Sequence, residues 1–482
     1  MRYFPALVIN LMLALMPVCV SAEVIRLNQL IQKVIDHYPS LKVAAIQVER
    51  ARQENTKIET QLAWQLAAKG GVSRNISLFG TPTDRVDVSG NLKRALESGA
   101  ALSFNAAINR EDATTTLSPL QPNPSTISKL DISYRHPLAK GANNPAYTQA
   151  KEIADANKVI SSADQQNRHD QLASQIIELY MAGITTDARI TNTQQAIKRS
   201  QRLQAYIKDR SVMGLSEEKD LLQVKAQLSR QQAEYQGLKV IWEQQRISLN
   251  RLMGRDWAAP LALALDDDLQ IPDQLHDELY QQVKARSPEL VKVDQQLKLA
   301  DAAIKLSRDA KKDGMDLLMY LGNQTYSGDT TTGSQSESEV FGGVSVEYNR
   351  GLDKSGYDAE IYQAQLDRGI ALQNKKQIME DLYYELSSLL AEIKANHMAV
   401  KAYKDSVNSE RKKLQEAEQR YKSGRTDTDQ LIQFESQLSQ AKLSYELQKI
   451  ELNRRYHNLS LLRGLLWKNI KLPEYSFAEA GE

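Results

Sequence analysis

Two long stretches of the chain contain no proline, and this feature restricts its fold more than any other. No proline occurs between Pro145 and Pro260, or between Pro288 and Pro473. Proline in a helix interior costs about 3 kcal/mol, so stretches without it permit helices of unusual length. Both stretches are also rich in Ala, Gln, Leu, Lys and Glu, which favour helices. The sequence therefore predicts a mainly α-helical protein whose helices exceed the usual length of roughly 11–12 residues.

Apolar residues in the first of these stretches recur with a seven-residue spacing. They run from Leu221 to Leu249, and a second, partly polar set follows three positions after each member. This is the a/d pattern of a coiled coil, and it predicts one helix of roughly 60 Å over residues 216–254. The pattern returns from Leu431 to Leu459, 210 positions later. The repeated spacing predicts an internal tandem duplication.

Two glycines share this offset and end the first helix of each pair. Gly214 and Gly424 each interrupt a helical pattern just before a new one begins. Glycine accepts left-handed backbone angles at helix ends, so both are predicted to be tight turns of antiparallel helical hairpins. The predicted organisation is a signal peptide (1–22), a first repeat (23–254, with hairpin 144–254), a linker (255–274), a second repeat (275–467, with hairpin 353–467) and a tail (468–482).

The segments 70–137 and 314–350 differ in composition from the rest of the chain. They are rich in Gly, Ser, Thr and Asn and alternate apolar with polar residues. A period of two is typical of β-strands, and we predict two strands in each segment, four in the chain. The alternation by itself fits a small soluble β-domain equally well. Four strands are too few to close a membrane barrel, which needs at least about eight, so several chains would have to share one.

The N-terminus has the features of a secretory signal peptide. Arg2 precedes an apolar stretch from Ala6 to Val20, and Ala22 offers a small residue at the cleavage position. The stretch is too short to span a bilayer as a helix, and a retained anchor or lipid attachment at Cys19 are the alternatives. Cys19 is the only cysteine, so the exported chain is predicted to be held together without disulfides.

Charge and motif content disfavour several function classes. The chain has 61 basic and 60 acidic residues, and loss of Arg2 with the signal peptide leaves 60 of each, which does not favour a nucleic-acid partner. The six histidines lie apart, and the sequence has no phosphate-binding glycine loop or nucleophile elbow. We therefore predict no catalytic residue, no cofactor and no metal ion, and so no enzyme. A soluble periplasmic coiled-coil adaptor or chaperone is an alternative, although an adaptor would normally have one helical hairpin and not two.

An ordered set of motifs occurs in both halves of the chain. The second half carries Tyr421-Lys422-Ser423-Gly424, then Asp429-Gln430-Leu431-Ile432 and Leu462-Arg463-Gly464. The first half carries Tyr134–Gly141 before a helix, then Arg210–Gly214, Asp220-Leu221-Leu222 and Leu252–Gly254. Taken in order, over residues 23–467, this set resembles the TolC family of outer-membrane efflux proteins.

The resemblance implies a homotrimer in the outer membrane of a Gram-negative bacterium. Three chains would share a β-barrel of 12 strands, four from each, and the long helices would continue as an α-barrel through the periplasm. Such a channel does no chemistry and is the passive exit duct of a tripartite efflux or type I secretion system. Its partners would be outer-membrane lipid, a periplasmic adaptor (membrane fusion protein) and an inner-membrane pump.

The resemblance also implies a periplasmic gate beside the glycine turns. Its candidate residues are Asp220, Tyr421, Arg425, Thr426, Asp427, Asp429, Gln430 and Gln433. Gln430 and Gln433 stand where the family carries pore-facing carboxylates, and Thr426 stands where it carries a gate arginine. We therefore expect weaker cation selectivity and weaker block by divalent cations. Alternatively, Asp427 and Asp429 are acids at a helix N-terminus, where the helix dipole favours negative charge.

Overall fold

The computed structural model describes residues 23–76, 81–115, 122–213, 218–265, 275–423 and 425–470. The predicted signal peptide, the turn glycines Gly214 and Gly424, and parts of the predicted linker and tail lie outside these ranges. The described helices are α1 (Leu27–His37), α2 (Pro39–Glu59), α3 (Pro145–Val212), α4 (Glu218–Leu252), α5 (His276–Arg286), α6 (Pro288–Ala310), α7 (Ser355–Lys422) and α8 (Thr428–Leu462).

Three of the four helix pairs have equal lengths, and the fourth, α2 and α6, has 21 and 23 residues. α3 and α7 have 68 residues each, and α4 and α8 have 35 each. α1 and α5 have 11 residues each. The prediction of very long helices in the proline-free stretches is therefore confirmed.

Proline and glycine mark the ends of these helices. Pro39, Pro145 and Pro288 each occupy the first residue of a helix, where the missing N–H has no intrahelical partner to lose. Gly254 and Gly464 follow the ends of α4 and α8 with φ of +66° and +64°. These are left-handed angles that a side chain disfavours, so glycine allows the chain to turn away there.

The chain forms two structural units, each assembled from both halves of the sequence. Of the described residues, those within 23–45, 165–287 and 379–470 form the helical unit, and those within 46–164 and 288–378 form the sheet unit. α3 and α7 contribute to both units.

A pair of short parallel strands anchors the start of the described chain in the helical unit. β1 (Glu23–Ile25) pairs with β6 (Leu261–Leu263). The buried hydroxyl of Tyr180, on α3, lies 2.9 Å from the carbonyl oxygen of Ile25 and 2.7 Å from that of Ala264. Its single hydrogen is donated to one of these oxygens at a time. The surrounding core is aliphatic and includes Leu27, Leu30, Ile31, Val34, Ile176 and Ile177.

The sheet unit contains one antiparallel sheet of six strands. They are β2 (Gln65–Ile76), β3 (Pro82–Ala95), β4 (Ala101–Ala113), β5 (Ser125–Pro137), β7 (Gly314–Thr330) and β8 (Gly333–Asn349). Their order across the sheet is β2-β3-β4-β5-β7-β8. Each strand therefore lies beside its neighbour in sequence, apart from the junction of the two halves between β5 and β7.

The first predicted β segment contains four strands, so the prediction of two there, and of four in the chain, is wrong. The segment reverses direction at residues 96–100, where the Leu96 amide donates to the Ala100 carbonyl oxygen at 2.8 Å. Gly99 in this turn has φ +83°, and a Cβ there would lie 2.3 Å from the carbonyl oxygen of Gly141. Only glycine fits such a site without strain. The second segment has the two strands predicted.

Candidate functional sites: a two-faced sheet and a hairpin-end cluster

One face of the six-stranded sheet is apolar and exposed. Residues paired across an antiparallel ladder point to the same face. One such row crosses five strands and consists of Leu66, Leu92, Phe104, Ile132 and Leu321. On the same face, Leu66, Val72 and Val344 are 77%, 81% and 70% exposed. Exposed apolar surface of this extent is unusual in a soluble monomer and marks a surface that contacts something apolar.

The opposite face of the sheet carries a hydrogen-bonded polar network. Asn91 donates its amide to the Oδ1 atom of Asn105 at 2.5 Å, and Asn105 donates to the Oδ2 atom of Asp131 at 2.7 Å. A second group on this face joins Arg85 to Glu111 at 3.0 Å, with Asp87 also within ion-pair distance. The sheet therefore has one side suited to lipid and one suited to water.

Aromatic residues of the sheet divide between the two faces. Register places Tyr134 opposite Met319 and Tyr348 opposite Met315, on the apolar face. Tyr320 pairs with Gly343, on the polar face. Tyrosines at the end of an apolar band are typical of strands at a membrane interface.

A second cluster lies in the helical unit, where the ends of α3 and α7 meet. The guanidinium of Arg210 lies 5.9 Å from the ring centre of Tyr206 and 5.5 Å from that of Tyr421. It also donates to the carbonyl oxygen of Tyr421 at 3.4 Å. The hydroxyls of Tyr421 and Thr428 are 2.9 Å apart, and both residues are buried. Tyr421 therefore joins α3, α7 and the first turn of α8.

The predicted gate residues all belong to this end of the hairpins. Asp427 is the N-cap of α8 and accepts a hydrogen bond from the Gln430 amide at 2.8 Å. Asp429 lies in the first turn of α8, as Asp220 does in α4. The side chains of Arg425, Asp427, Asp429, Gln430 and Gln433 are exposed, and those of Asp220 and Thr426 are half-buried.

A polar groove of about 490 Å³ runs beside these residues between α3, α4 and α8. Asp429 and Gln433 line it, together with Arg199 and Glu435. Burial raises the pKa of Glu435, and the nearby Arg199 charge opposes that rise. Burial also lowers the pKa of Arg199. The groove thus holds one partly desolvated pair of opposite charges.

Four residues of the hairpin-end cluster were not among the predicted gate residues. Arg210 had a sequence signal, because Arg420 lies at the matching position of the second half. Tyr206, Arg199 and Glu435 had none, since a single polar or charged residue in a long helix is usually taken as solvent-facing. Their contacts depend on how α3, α4 and α8 pack.

The described residues offer little that would support other chemistry. Within the described ranges, no group of three or more His, Cys, Asp and Glu side chains could hold a metal ion. Over those same ranges, no helix combines the length and apolar content needed to cross a membrane.

Comparison with known proteins shows the fold. No protein-family model and no curated protein sequence matches the chain. Among solved structures, CusC, a protein that forms a transmembrane channel, is 15% identical to this chain over 91% of each chain, with a TM-score of 0.69. VceC, an outer membrane protein of Vibrio cholerae, is 13% identical over 91% of this chain and 95% of its own, with a TM-score of 0.63. The open state of the MtrE outer membrane channel of Neisseria gonorrhoeae is 18% identical over 94% and 91%, with a TM-score of 0.62. The chain therefore has the fold of these outer-membrane channels, which confirms at the level of fold the resemblance seen in the sequence.

Proposed function

We propose that the chain is a subunit of an outer-membrane channel, the passive exit duct of a tripartite efflux or type I secretion system in a Gram-negative bacterium. The two-faced sheet is the observation that carries this proposal, because a membrane strand needs one apolar face for lipid and one polar face for water. The shared fold with outer-membrane channels supports the same conclusion. No residue is assigned a catalytic role.

The channel is proposed to be a homotrimer whose sheets together form one barrel. A single sheet of six strands leaves two edge strands, β2 and β8, with unpaired backbone groups. Lipid does not tolerate such edges, so several copies of the chain must close the barrel together. The helices would form an α-barrel in the periplasm, where an adaptor and an inner-membrane pump would deliver the cargo. Residues 1–22 would direct export.

We also attribute the two halves of the chain to an internal duplication. Gly254 and Gly464, 210 positions apart, take the same left-handed angle after helices of equal length. Each lies against the end of a short helix: a Cβ on Gly254 would contact His37, and one on Gly464 would contact Arg286. Two unrelated coiled coils would not be expected to share these contacts.

The hairpin-end cluster is proposed to be the periplasmic gate. Tyr421, held by Arg210 and Thr428, would keep the ends of α3, α7 and α8 together. Gln430 and Gln433 would leave the pore with fewer carboxylates, and hence with weak cation selectivity. Asp427 caps a helix, so Asp429 is the better candidate for a pore-facing charge.

Reversal potentials across a planar bilayer with a salt gradient test the gate assignment. Asp429→Asn should lower the cation selectivity, and the matched variant Asp427→Asn should leave it unchanged. Strong cation selectivity that survives Asp429→Asn and disappears only on changing residues outside the cluster would refute the assignment.

Channel formation tests the proposed function itself. Protein purified from the membrane fraction should produce stepwise ion currents in planar bilayers. A protein found only in the soluble periplasmic fraction, and unable to produce such steps, would instead be a coiled-coil adaptor or chaperone.

A further inference from the structure

The position of the apolar band on β3, β4, β5 and β7 shows how these four strands belong together. Toward the loop that joins β2 to β3, the band ends at Val86 on β3, Ile108 on β4, Leu130 on β5 and Leu321 on β7. Residues paired with these ends are already polar: Val86 faces Arg110, Ile108 faces Ser128, and Leu130 faces Asn323. From β3 to β7, each strand's band therefore ends two residues earlier, at the next pair on the same face, than the band of the strand before it. β8 does not continue this shift, because its Val340 faces Asn323 of β7.

A stagger repeated over these three steps is the geometry of tilted strands in a barrel wall. Closing a sheet requires the strands to tilt and the register to shift by a fixed amount from strand to strand. A flat lipid boundary across tilted strands therefore cuts each strand at a different residue. The hairpin of β3 and β4 was not expected from the sequence. It follows the same stagger as β5 and β7, which were expected. It therefore has the pattern of a wall element and not of a surface loop.

The two edges of the sheet are suited to pairing with a second copy of this chain. Six alternating strands leave β2 and β8 running in opposite directions, so β8 of one copy can pair antiparallel with β2 of the next. The polar face of β2 carries a single charge, Lys69, and that of β8 carries Glu337, Glu339 and Glu347. Within the described residues, Lys69, Glu337 and Glu339 form no ion pair. Opposite charges on adjoining edges favour this pairing over other partners.

We propose that three copies of the chain close a barrel of 18 strands, six from each, and not the 12 that four strands per chain would give. This inference rests on the proposed function. Barrel diameter grows nearly linearly with strand number, so the barrel would be about 1.5 times as wide as one of 12 strands. Barrels of about 16–18 strands enclose an aqueous channel. The membrane section would therefore pass bulky hydrated solutes, and selection by size would fall to the helical end.

Single-cysteine labelling in intact outer membranes tests whether β3 and β4 lie in the wall. Cys19 is the only native cysteine and is predicted to be removed with the signal peptide, so the maleimide would react only with an introduced cysteine. Val88→Cys and Ile108→Cys, on the apolar face, should be protected from a charged water-soluble maleimide, as should the control Val344→Cys on β8. Ser89→Cys and Asn109→Cys, their neighbours on the polar face, should react.

The outcomes separate this inference from the proposed function. Reaction at Val88→Cys and Ile108→Cys with continued protection at Val344→Cys would place the hairpin outside the membrane and overturn the 18-stranded barrel, leaving the channel intact. Reaction at Val344→Cys as well would overturn the proposed function. Electron cryomicroscopy of the unmodified detergent-solubilised protein needs no variant: 18 strands in cross-section would support the inference, and 12 would overturn it.

Discussion

The two halves of the chain differ far more in their strands than in their helices. The long helices match residue for residue, 68 with 68 and 35 with 35. The β segments do not match: four strands precede α3, and two precede α7. The helices keep their lengths because each turn of the heptad pattern must meet an apolar position on a neighbouring helix. An antiparallel sheet has no such constraint on strand number.

A sheet of this kind accepts strands two at a time. A hairpin adds one strand in each direction, so the strands on either side of it keep their antiparallel relation. β3 and β4 are such a pair, joined by the turn at residues 96–100. The sheet should therefore tolerate the loss of two strands but not of one.

Deleting strands has the largest expected effect. Removal of residues 82–113 takes out β3 and β4 and leaves β2 and β5 in opposite directions, so an antiparallel sheet of four strands remains. We expect membrane-inserted trimers with a narrower barrel, by a factor of about 1.5 in diameter. Electron cryomicroscopy of the detergent-solubilised variant measures the width of the barrel. The matched control, removal of residues 82–100, takes out one strand and should abolish membrane insertion. Equal behaviour of the two deletions would contradict the account.

Asp170 and its counterpart Glu380 provide a second test, because they occupy the same position in α3 and α7 but differ in burial. Asp170 accepts a hydrogen bond from the indole nitrogen of Trp467 at 2.6 Å, whereas Glu380 is exposed. Burial raises the pKa of Asp170 to about 6, and the Trp467 hydrogen bond offsets part of the rise. The folded protein thus holds this proton more tightly than the unfolded chain, whose Asp pKa is about 3.9.

The Asp170 contribution to stability is therefore fully present below about pH 4 and is lost as the pH rises through about 6. Asp170→Asn keeps an acceptor for Trp467 and removes the partly buried charge. We expect it to raise the free energy of unfolding at pH 7 by about 3 kcal/mol at most, since one pKa unit corresponds to about 1.4 kcal/mol. Denaturant unfolding between pH 4 and 8 measures this. Glu380→Gln, at the exposed matching position, is the control and should leave the Asp170 pH dependence in place. A pH dependence that is unaltered in Asp170→Asn would show that the carboxyl is not desolvated.

Tyr180 also distinguishes the halves, because Leu390 occupies its position in α7. Tyr180→Phe removes the hydroxyl that contacts the carbonyl oxygens of Ile25 and Ala264. Leaving a buried carbonyl without its donor costs about 1–3 kcal/mol, and thermal unfolding should show a loss of that size. Tyr456→Phe is the matched control, because the buried Tyr456 hydroxyl has no hydrogen-bond partner among the described residues. A greater loss in the control would contradict the assignment.

The smallest effect is expected at the start of α8. Asp427→Ala removes the N-cap hydrogen bond to Gln430 and should destabilise the protein by about 1 kcal/mol. Asp429→Ala, two residues further along, removes no capping bond and should cost less in the same denaturant titration. Equal losses would mean that Asp427 acts only through its charge.

Much of the helical unit could be predicted from the sequence. Proline at helix starts, glycine after helix ends and the heptad pattern from Leu221 to Leu249 are local signals, and they gave the long helices. The β3–β4 hairpin escaped prediction because its turn carries a single Ser98-Gly99 marker, within an apolar-polar alternation that continues on either side. The sequence placed the gate candidates at one helix end, but not the Arg199–Glu435 pair, which depends on three helices packing together.

The mass of the particle extracted from outer membranes with mild detergent tests the central claim most directly. Light scattering corrected for bound detergent should give about three chains, each 54.2 kDa before cleavage of the signal peptide, because six strands with two open edges cannot stand alone in lipid. A monomer or dimer recovered from the soluble periplasm would contradict the claim, since the apolar face of the sheet would then meet neither lipid nor the barrel of a trimer.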